Sequence, residues 1–185
     1  MRKSLVLLLL AGCATSTPGA GTTPWKGKPA AIPGMVEAEH YDDGPAGAAY
    51  VDVDAKNEGA DYRGATGVDI EGRPDASGKH GIGWTRPGEW LVYTVEIKES
   101  GTYTIQMPVA SSKQGGTFHI EFDGVDRTGA IRVPDTGGWK ILKMLTHKGV
   151  KLEAGVRKMR VVMDANGPSG SIGDIDLFDF RKTGP

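Results

Sequence analysis

The sequence predicts an all-β protein, a jelly-roll β-sandwich of two antiparallel sheets. Three observations carry this prediction: many chain-breaking residues, short stretches that alternate apolar and polar residues, and Gly-rich turns between those stretches. The 185 residues include 28 Gly and 11 Pro, together about 21% of the chain, against roughly 12% in an average protein. This composition favours turn-rich β structure over helices. Hydrophobic residues make up 38% of the chain, which is enough for a packed core.

Nine segments are expected to form strands, because Val, Ile, Thr, Tyr and Phe recur at every second position within them. The clearest are residues 89–98, 101–110 and 117–122, which turn sequences such as Gln114-Gly115-Gly116 separate. The other six segments are residues 36–39, 68–71, 130–133, 139–147, 156–163 and 175–180. No segment keeps helical spacing beyond about two turns. Many short strands at this spacing are typical of a β-sandwich.

The N-terminus resembles an export signal. A basic start precedes the apolar run at residues 5–10, which is far shorter than the roughly 20 apolar residues of a membrane-spanning helix. Leu10-Ala11-Gly12-Cys13 resembles the bacterial lipobox, which is cleaved just before the cysteine. The resemblance implies a signal peptide at residues 1–12, a lipid anchor on Cys13 and a place in the bacterial cell envelope. Ala14 is typical of lipoproteins sent to the outer membrane, and an ordinary secretory signal is the alternative.

Composition divides the rest of the chain into a tether at residues 13–31 and one module at residues 32–182. The tether is rich in Thr, Pro, Gly and Ala, as flexible linkers are. Its one aromatic residue, Trp25, is either a loose surface residue or docks on the module. A single Cys excludes an intrachain disulfide, and 22 basic against 23 acidic residues argue against a nucleic-acid partner. We expect a monomer.

Signatures of catalysis are sparse in this sequence. No two of the four histidines have the spacing of a metal-binding pair, and no Gly-x-Ser-x-Gly elbow is present. A glycosidase needs only two carboxylates across a cleft, and acidic residues are plentiful. The sequence therefore favours a protein without catalytic activity and leaves such a carboxylate pair open.

Two acidic pairs indicate a site for a hard cation. Glu37 and Glu39 lie on one face of the first predicted strand, since side chains alternate along a strand, and Asp174 and Asp176 do the same near the last. Neighbouring carboxylates repel each other unless a cation such as Ca²⁺ takes oxygen ligands from both. The alternative is a solvated acidic face.

Aromatic residues in predicted loops indicate a sugar-binding site. Trp139 follows the loop at residues 135–138, and Tyr62 lies in the loop at residues 59–64. Exposed aromatic faces stack on sugar rings while polar neighbours bind the hydroxyl groups. Each could also be an incidental surface residue. Trp84, Trp90 and Tyr93 are expected in the core, because they lie in or beside apolar strands.

The ordered motifs of the chain resemble carbohydrate-binding module family 6. The resemblance runs from Ile32 to Phe180 through IPGMVEAEHY at residues 32–41, YVDVD at 50–54, YR at 62–63, GVDIE at 67–71, IGW at 82–84, GEWLVY at 88–93, GTY at 101–103, TGGW at 136–139 and the closing segment 174–180. It implies a non-catalytic jelly-roll module that binds carbohydrate and holds a structural Ca²⁺. The ligand that it implies is a β-linked polysaccharide or oligosaccharide. A structural or protein-interaction envelope lipoprotein that has lost sugar binding is the alternative.

The resemblance also implies roles for individual residues. Tyr62 and Trp139 match the aromatic pair that clamps a sugar ring in this family. Asp174 stands where the family usually has a sugar-binding Asn, so an acceptor is kept and the amide donors are lost. Glu71 lies where the family adjusts which end of a glycan fits. The implied Ca²⁺ ligands are Glu37, Glu39 and Asp176.

Overall fold

The computed structural model describes residues 19–54, 56–64 and 66–185, so the lipobox and Cys13 lie outside the described residues. The described chain contains β1 (Ala30–Ile32), β2 (Gly34–Glu37), β3 (Tyr50–Val51), β4 (Ile70–Gly72), β5 (His80–Ile82), β6 (Trp90–Ile97), β7 (Gly101–Ser111), β8 (Thr117–Phe122), β9 (Val125–Asp126), β10 (Ile131–Arg132), β11 (Gly138–Leu152), β12 (Gly155–Ala165), β13 (Asp174–Ile175) and β14 (Leu177–Gly184). Two short 3₁₀ helices, Trp25–Gly27 and Ser77–Lys79, accompany them. None of the helices in this part of the chain is long and apolar enough to cross a membrane.

The strands form two sheets. The first sheet has the order β1-β6-β12-β8-β10, with β3 also paired to β6 and β9 to β8. The second sheet has the order β2-β14-β7-β13-β5-β4, with β11 along the other edge of β7. Within these described sheets β1 pairs with β6 in parallel and the other strand pairs are antiparallel. The predicted β-sandwich fold is confirmed.

The core fills the space between the two sheets, because alternate residues of each strand point inward. Along β6, for example, Leu91, Tyr93, Val95 and Ile97 are buried. Aromatic residues from both sheets meet there, with Tyr93 against Phe178 and Phe122 against Phe180 in edge-to-face geometry. Full burial of each such side chain stabilises the fold by roughly 1.5–3 kcal/mol.

Each of the nine predicted strand segments overlaps a strand, although several bounds differ. The strand predicted at residues 139–147 extends over Gly138–Leu152, and the one at 130–133 shrinks to Ile131–Arg132. Four strands lie outside the predicted segments, and each has only two or three residues: β1, β3, β5 and β9. Such short strands are fixed by their partners in the sheet rather than by their own alternation.

Residues 19–29, which we call the N-terminal segment, are bound to the sandwich although the sequence assigns them to a tether. The backbone N–H of Gly19 donates to the carbonyl of Ala48 at 2.7 Å, and Thr23 and Asp43 exchange two backbone hydrogen bonds. The next residues continue into β1, which adds to the edge of the first sheet. The folded module therefore begins before residue 32.

A buried polar network holds this N-terminal segment on the first sheet. Asp42 is 1% exposed and accepts hydrogen bonds from Thr22 Oγ1 at 2.7 Å, Thr94 Oγ1 at 2.6 Å and Lys158 Nζ at 2.8 Å. Lys158 Nζ also contacts Thr22 Oγ1 at 2.6 Å. Two hydroxyl groups and one ammonium group thus donate to the buried carboxylate, and the ammonium group of Lys158 compensates its charge.

Candidate functional site

A cavity of about 420 Å³ opens at one end of the second sheet. It is lined by Glu71, Trp84, Trp139, Lys140, Ser171 and Asp174. These residues belong to β4, the loop after β5, the start of β11, the turn before β13 and β13 itself. The elements meet because Gly138 and Asp174 pair with neighbouring residues at the end of β7. The cavity thus brings together three of the four predicted sugar-binding residues, namely Trp139, Asp174 and Glu71.

The turn before β11 presents Trp139 to the cavity. Asp135 Oδ1 accepts the backbone N–H of Gly137 at 2.8 Å, and Gly137 has a φ of +93°, which favours glycine. Thr136 is buried and its hydroxyl bonds both the N–H and the carbonyl of Ser111. The turn is therefore fixed to the end of β7, and the half-buried indole that follows has a defined position.

Trp84 also lines the cavity, so the prediction that it lies in the core is wrong. It is 41% exposed, and its φ of +49° is in the left-handed region. A bulky residue there is an outlier that costs of order 1–3 kcal/mol and clusters at functional sites. The strained turn after β5 directs this indole outward. Of the other two residues expected in the core, Tyr93 is buried and Trp90 is half-buried, with Arg160 over its ring at 5.6 Å.

The acidic floor of the cavity is organised by Arg73, a residue that the sequence analysis missed. Arg73 is 1% exposed, and its Nη1 donates to Glu71 Oε2 at 2.9 Å and to Asp174 Oδ2 at 2.8 Å. Its Nε and Nη2 donate to the two carboxylate oxygens of Asp75. One sequence signal could have revealed this network: acidic residues, Glu71 and Asp75, stand two positions before and two positions after Arg73.

The environment of Asp174 raises its pKa to about 7. Burial is the main cause and the charge of Glu71 adds to it, whereas Arg73 and Lys140 act in the opposite direction. Lys140, at the rim, forms an ion pair with Glu71 Oε1 while its own side chain stays 72% exposed. The cavity therefore combines two indoles, two carboxylates and one exposed ammonium group.

Tyr62, the predicted partner of Trp139, is not among the described residues that line this cavity. Its hydroxyl bonds His40 Nε2 at 2.9 Å, and its ring lies 4.1 Å from the ring centroid of His80. The cause is the adjacent Arg63, whose guanidinium donates to the carbonyls of residues 39, 41 and 42 and so draws the loop toward them. Tyr62 therefore contacts His40 and His80 and does not line the cavity.

The N-terminal segment adds Trp25 to the rings of Tyr62, His40 and His80. Trp25 stacks on His40 at 5.4 Å, and the Arg63 guanidinium lies 4.0 Å from the Trp25 ring centroid. Of the two alternatives for Trp25, docking on the module is the one observed.

Glu37, Glu39 and Asp176, the predicted Ca²⁺ ligands, surround the turn at Ser77 and Gly78. Ser77 Oγ donates to Glu37 Oε1 at 2.6 Å, and the Ser77 N–H donates to Asp176 Oδ1 at 3.0 Å. A Cβ on Gly78 would lie 3.2 Å from Glu39 Oε1. The three carboxylates are brought together because β2 pairs with β14 at Glu37 and Leu177.

Three of the six carboxylate oxygens are buried and lack a hydrogen-bond partner among the described residues: Glu37 Oε2, Glu39 Oε1 and Glu39 Oε2. Glu39 is fully buried, and burial, with added repulsion from Glu37 and Asp176, raises its pKa to about 7. Burial likewise raises the pKa of Asp176 to about 6. Such oxygen donors suit a hard cation. Within the described chain, however, no three His, Cys, Asp or Glu side chains converge as a complete metal site.

Comparison with known proteins places this chain in a family. The model of carbohydrate binding module family 6 matches residues 58–182. The clotting factor G alpha subunit of Tachypleus tridentatus is 28% identical over 102 residues, which are 54% of this chain and 15% of that relative. The chain thus spans only a small part of that relative's length.

Solved structures show the same relationship. The carbohydrate-binding module of Cellvibrio mixtus lichenase 5A, solved with cellotriose, is 25% identical with a TM-score of 0.59 over 82% of this chain and 98% of that module. A β-1,3-glucan-binding module of this family from Bacillus halodurans is also 25% identical, with a TM-score of 0.62 over 83% and 99% of the two chains. Because the family model covers more than half of the chain, the protein belongs to carbohydrate-binding module family 6.

Proposed function

We propose that this protein is a non-catalytic module that binds a β-linked polysaccharide in the cavity lined by Trp84 and Trp139. The observation that carries the proposal is the meeting of two indoles and two carboxylates in one open cavity at the end of the second sheet. The two similar modules supply the first ligands to test, since one was solved with cellotriose and the other binds β-1,3-glucan.

Two features of the cavity support the proposal. The C–H groups of a sugar ring stack on the indole faces, and the hydroxyl groups donate to the carboxylates of Asp174 and Glu71. Arg73 holds both carboxylates from below, so their orientation is fixed before the ligand arrives. A site fixed in advance loses less entropy on binding.

The test is calorimetric titration with cello-, laminari- and xylo-oligosaccharides, supported by affinity gels with the corresponding polysaccharides. Trp84→Ala and Trp139→Ala are each expected to weaken binding by about 2 kcal/mol, or roughly 30-fold, as buried Trp anchors do. Tyr62→Phe is the matched control and should leave the affinity unchanged, since Tyr62 does not line the cavity. Loss of binding in Tyr62→Phe, or full binding in both Trp variants, would refute this site.

The proposal includes a structural Ca²⁺ held by Glu37, Glu39 and Asp176. The unpartnered oxygens of the two glutamates support it, and backbone carbonyls or waters would supply the remaining ligands. Bound Ca²⁺ would neutralise the repulsion between the carboxylates and join β2 to β14. Titration of the metal-free protein with Ca²⁺ tests this directly, and Glu39→Gln should abolish the binding heat.

The proposal also includes a lipid anchor on Cys13 that displays the module at the bacterial outer membrane. Its support is the lipobox-like sequence at residues 10–13. Expression in a bacterial host with labelled palmitate should label the native protein and not Cys13→Ser. Equal labelling of the two proteins would refute the anchor without affecting the sugar site.

A further inference from the structure

The charges inside the cavity differ in how freely they can move. Glu71 and Asp174 lie inside, with side chains only 13% and 7% exposed, and the buried Arg73 is fixed between them. Lys140 reaches Glu71 from the rim on a side chain that is 72% exposed. An exposed lysine of this kind is readily displaced, because a surface ion pair contributes little stability.

Removal of Lys140 would make the group of charges around Arg73 more negative. Among the described residues, the three acids Glu71, Asp75 and Asp174 pair with two bases, Arg73 and Lys140, so the ionised group carries a net charge of −1. Without Lys140, Arg73 alone faces three carboxylates and the net charge is −2. A cation from the ligand would return the net charge to −1, whereas a carboxylate or sulfate from the ligand would face like charge.

Asp174 has an oxygen available to such a cation. Among the described residues only Arg73 hydrogen-bonds to the Asp174 carboxylate, and it does so at Oδ2. The other oxygen, Oδ1, is left open by the missing side chain of Gly83, where a Cβ would lie 3.3 Å away. A carboxylate only accepts hydrogen bonds, so the ligand must donate, and an ammonium group donates more strongly than a hydroxyl.

We propose that the preferred ligand of this cavity is a β-linked polysaccharide with free amino groups, whose ammonium displaces Lys140 from Glu71 and donates to Asp174. The inference rests on the proposed function, because it assigns the ligand class of the same cavity. The indoles hold the sugar ring, and the two acids select the amino group.

The experiment compares three tetrasaccharides of matched length by calorimetry at neutral pH: β-1,4-linked glucosamine, its fully N-acetylated form, and cellotetraose. The glucosamine tetrasaccharide should bind at least about tenfold more tightly than the other two. This preference should shrink as salt is added, because salt screens the charge interaction.

Two variants test the roles of the charges. Lys140→Met removes the competing ammonium and should raise the affinity for the glucosamine tetrasaccharide by about threefold to tenfold. Asp174→Asn should reduce the preference for that ligand to about one. Because Lys140 is exposed, its variant is expected to fold even if the Asp174 variant does not.

The outcomes separate the two proposals. Equal or weaker binding of the glucosamine tetrasaccharide, with clear binding of cellotetraose, overturns the inference and leaves the proposed function standing. Binding of none of the three ligands, nor of laminari- or xylo-oligosaccharides, overturns both. A salt-insensitive preference would assign the selectivity to shape and also overturn the role of charge.

Discussion

Replacement of Arg73 by Met should destabilise the module strongly, because this buried guanidinium is the shared partner of Glu71, Asp75 and Asp174. Met has a similar length but no charge, so the variant leaves Asp174 buried beside Glu71 without compensation. Removal of one member of a buried ion pair costs about 3–5 kcal/mol. For a domain of this size, each kcal/mol lowers the Tm by about 2–4 °C, which gives a loss of about 6–20 °C.

The loss should depend on pH in a direction that follows from Asp174. Burial raises the pKa of this carboxyl from 3.8 to about 7 in the folded protein, although Arg73 lowers it. Because the folded pKa is above the unfolded one, the stability from the protonated form is complete below pH 3.8 and is lost as the pH rises through 7. Without Arg73 the charged form is less favourable still. The deficit of Arg73→Met should therefore be larger at about pH 8 than at about pH 5.

Calorimetric or circular-dichroism melting at these two pH values measures the effect. Arg157→Met is the matched control: Arg157 pairs with Asp123 on the surface, with side chains 32% and 48% exposed, and its loss should cost less than about 1 kcal/mol. The double variant Arg73→Met/Asp174→Asn should recover part of the stability, since the uncompensated charge is gone. If the Arg73 and Arg157 variants melt alike, or if the deficit is the same at both pH values, the reasoning is refuted.

Three further predictions concern other parts of the molecule. Trp25→Ala should lower the free energy of unfolding by about 1–2 kcal/mol, because the contacts with His40 and Arg63 are lost. Urea unfolding measures this change, and an unchanged midpoint would contradict docking of the N-terminal segment. Chelation of Ca²⁺ should lower the Tm more at about pH 8 than at about pH 5. The folded pKa of Glu39 is raised to about 7, so the metal-free protein loses stability as this carboxyl ionises above that pH. Glu39→Gln should remove the difference between the two pH values. NMR titration should find the pKa of His119 above 6.5. Burial lowers this pKa, but the hydrogen bonds that the protonated imidazole donates to the carboxylates of Asp164 and Glu121 outweigh it, and a measured value at or below 6.5 would contradict that geometry.

The sequence predicts the strands of this fold well because alternate residues of the longer strands point into the core between the sheets. Alternation along β6, β7 and β8 is therefore visible in the residue pattern itself. The position of Trp139 is also predictable, since the turn at residues 135–138 has its own Asp and Gly signals.

Residues whose positions depend on distant contacts could not be predicted in this way. Trp84 follows an apolar strand and would be expected inside, and only the left-handed backbone at that position turns it outward. Tyr62 lies in a loop whose path is set by Arg63 and the carbonyls of residues 39–42, about twenty residues earlier in the chain. Arg73 meets Asp174 across the second sheet, a pairing that no local pattern encodes.

The N-terminal segment has a mechanical consequence if the proposed lipid anchor holds the module at its N-terminal end while the ligand pulls elsewhere. Tension applied at Gly19 would reach the sandwich through the Thr22, Asp42 and Lys158 contacts and then through the parallel pairing of β1 with β6. In that geometry the hydrogen bonds between β1 and β6 are loaded along the strand and must fail together rather than one by one. Because the rupture rate under load depends on the unfolding barrier, this attachment would resist sudden pulling better than its equilibrium stability indicates.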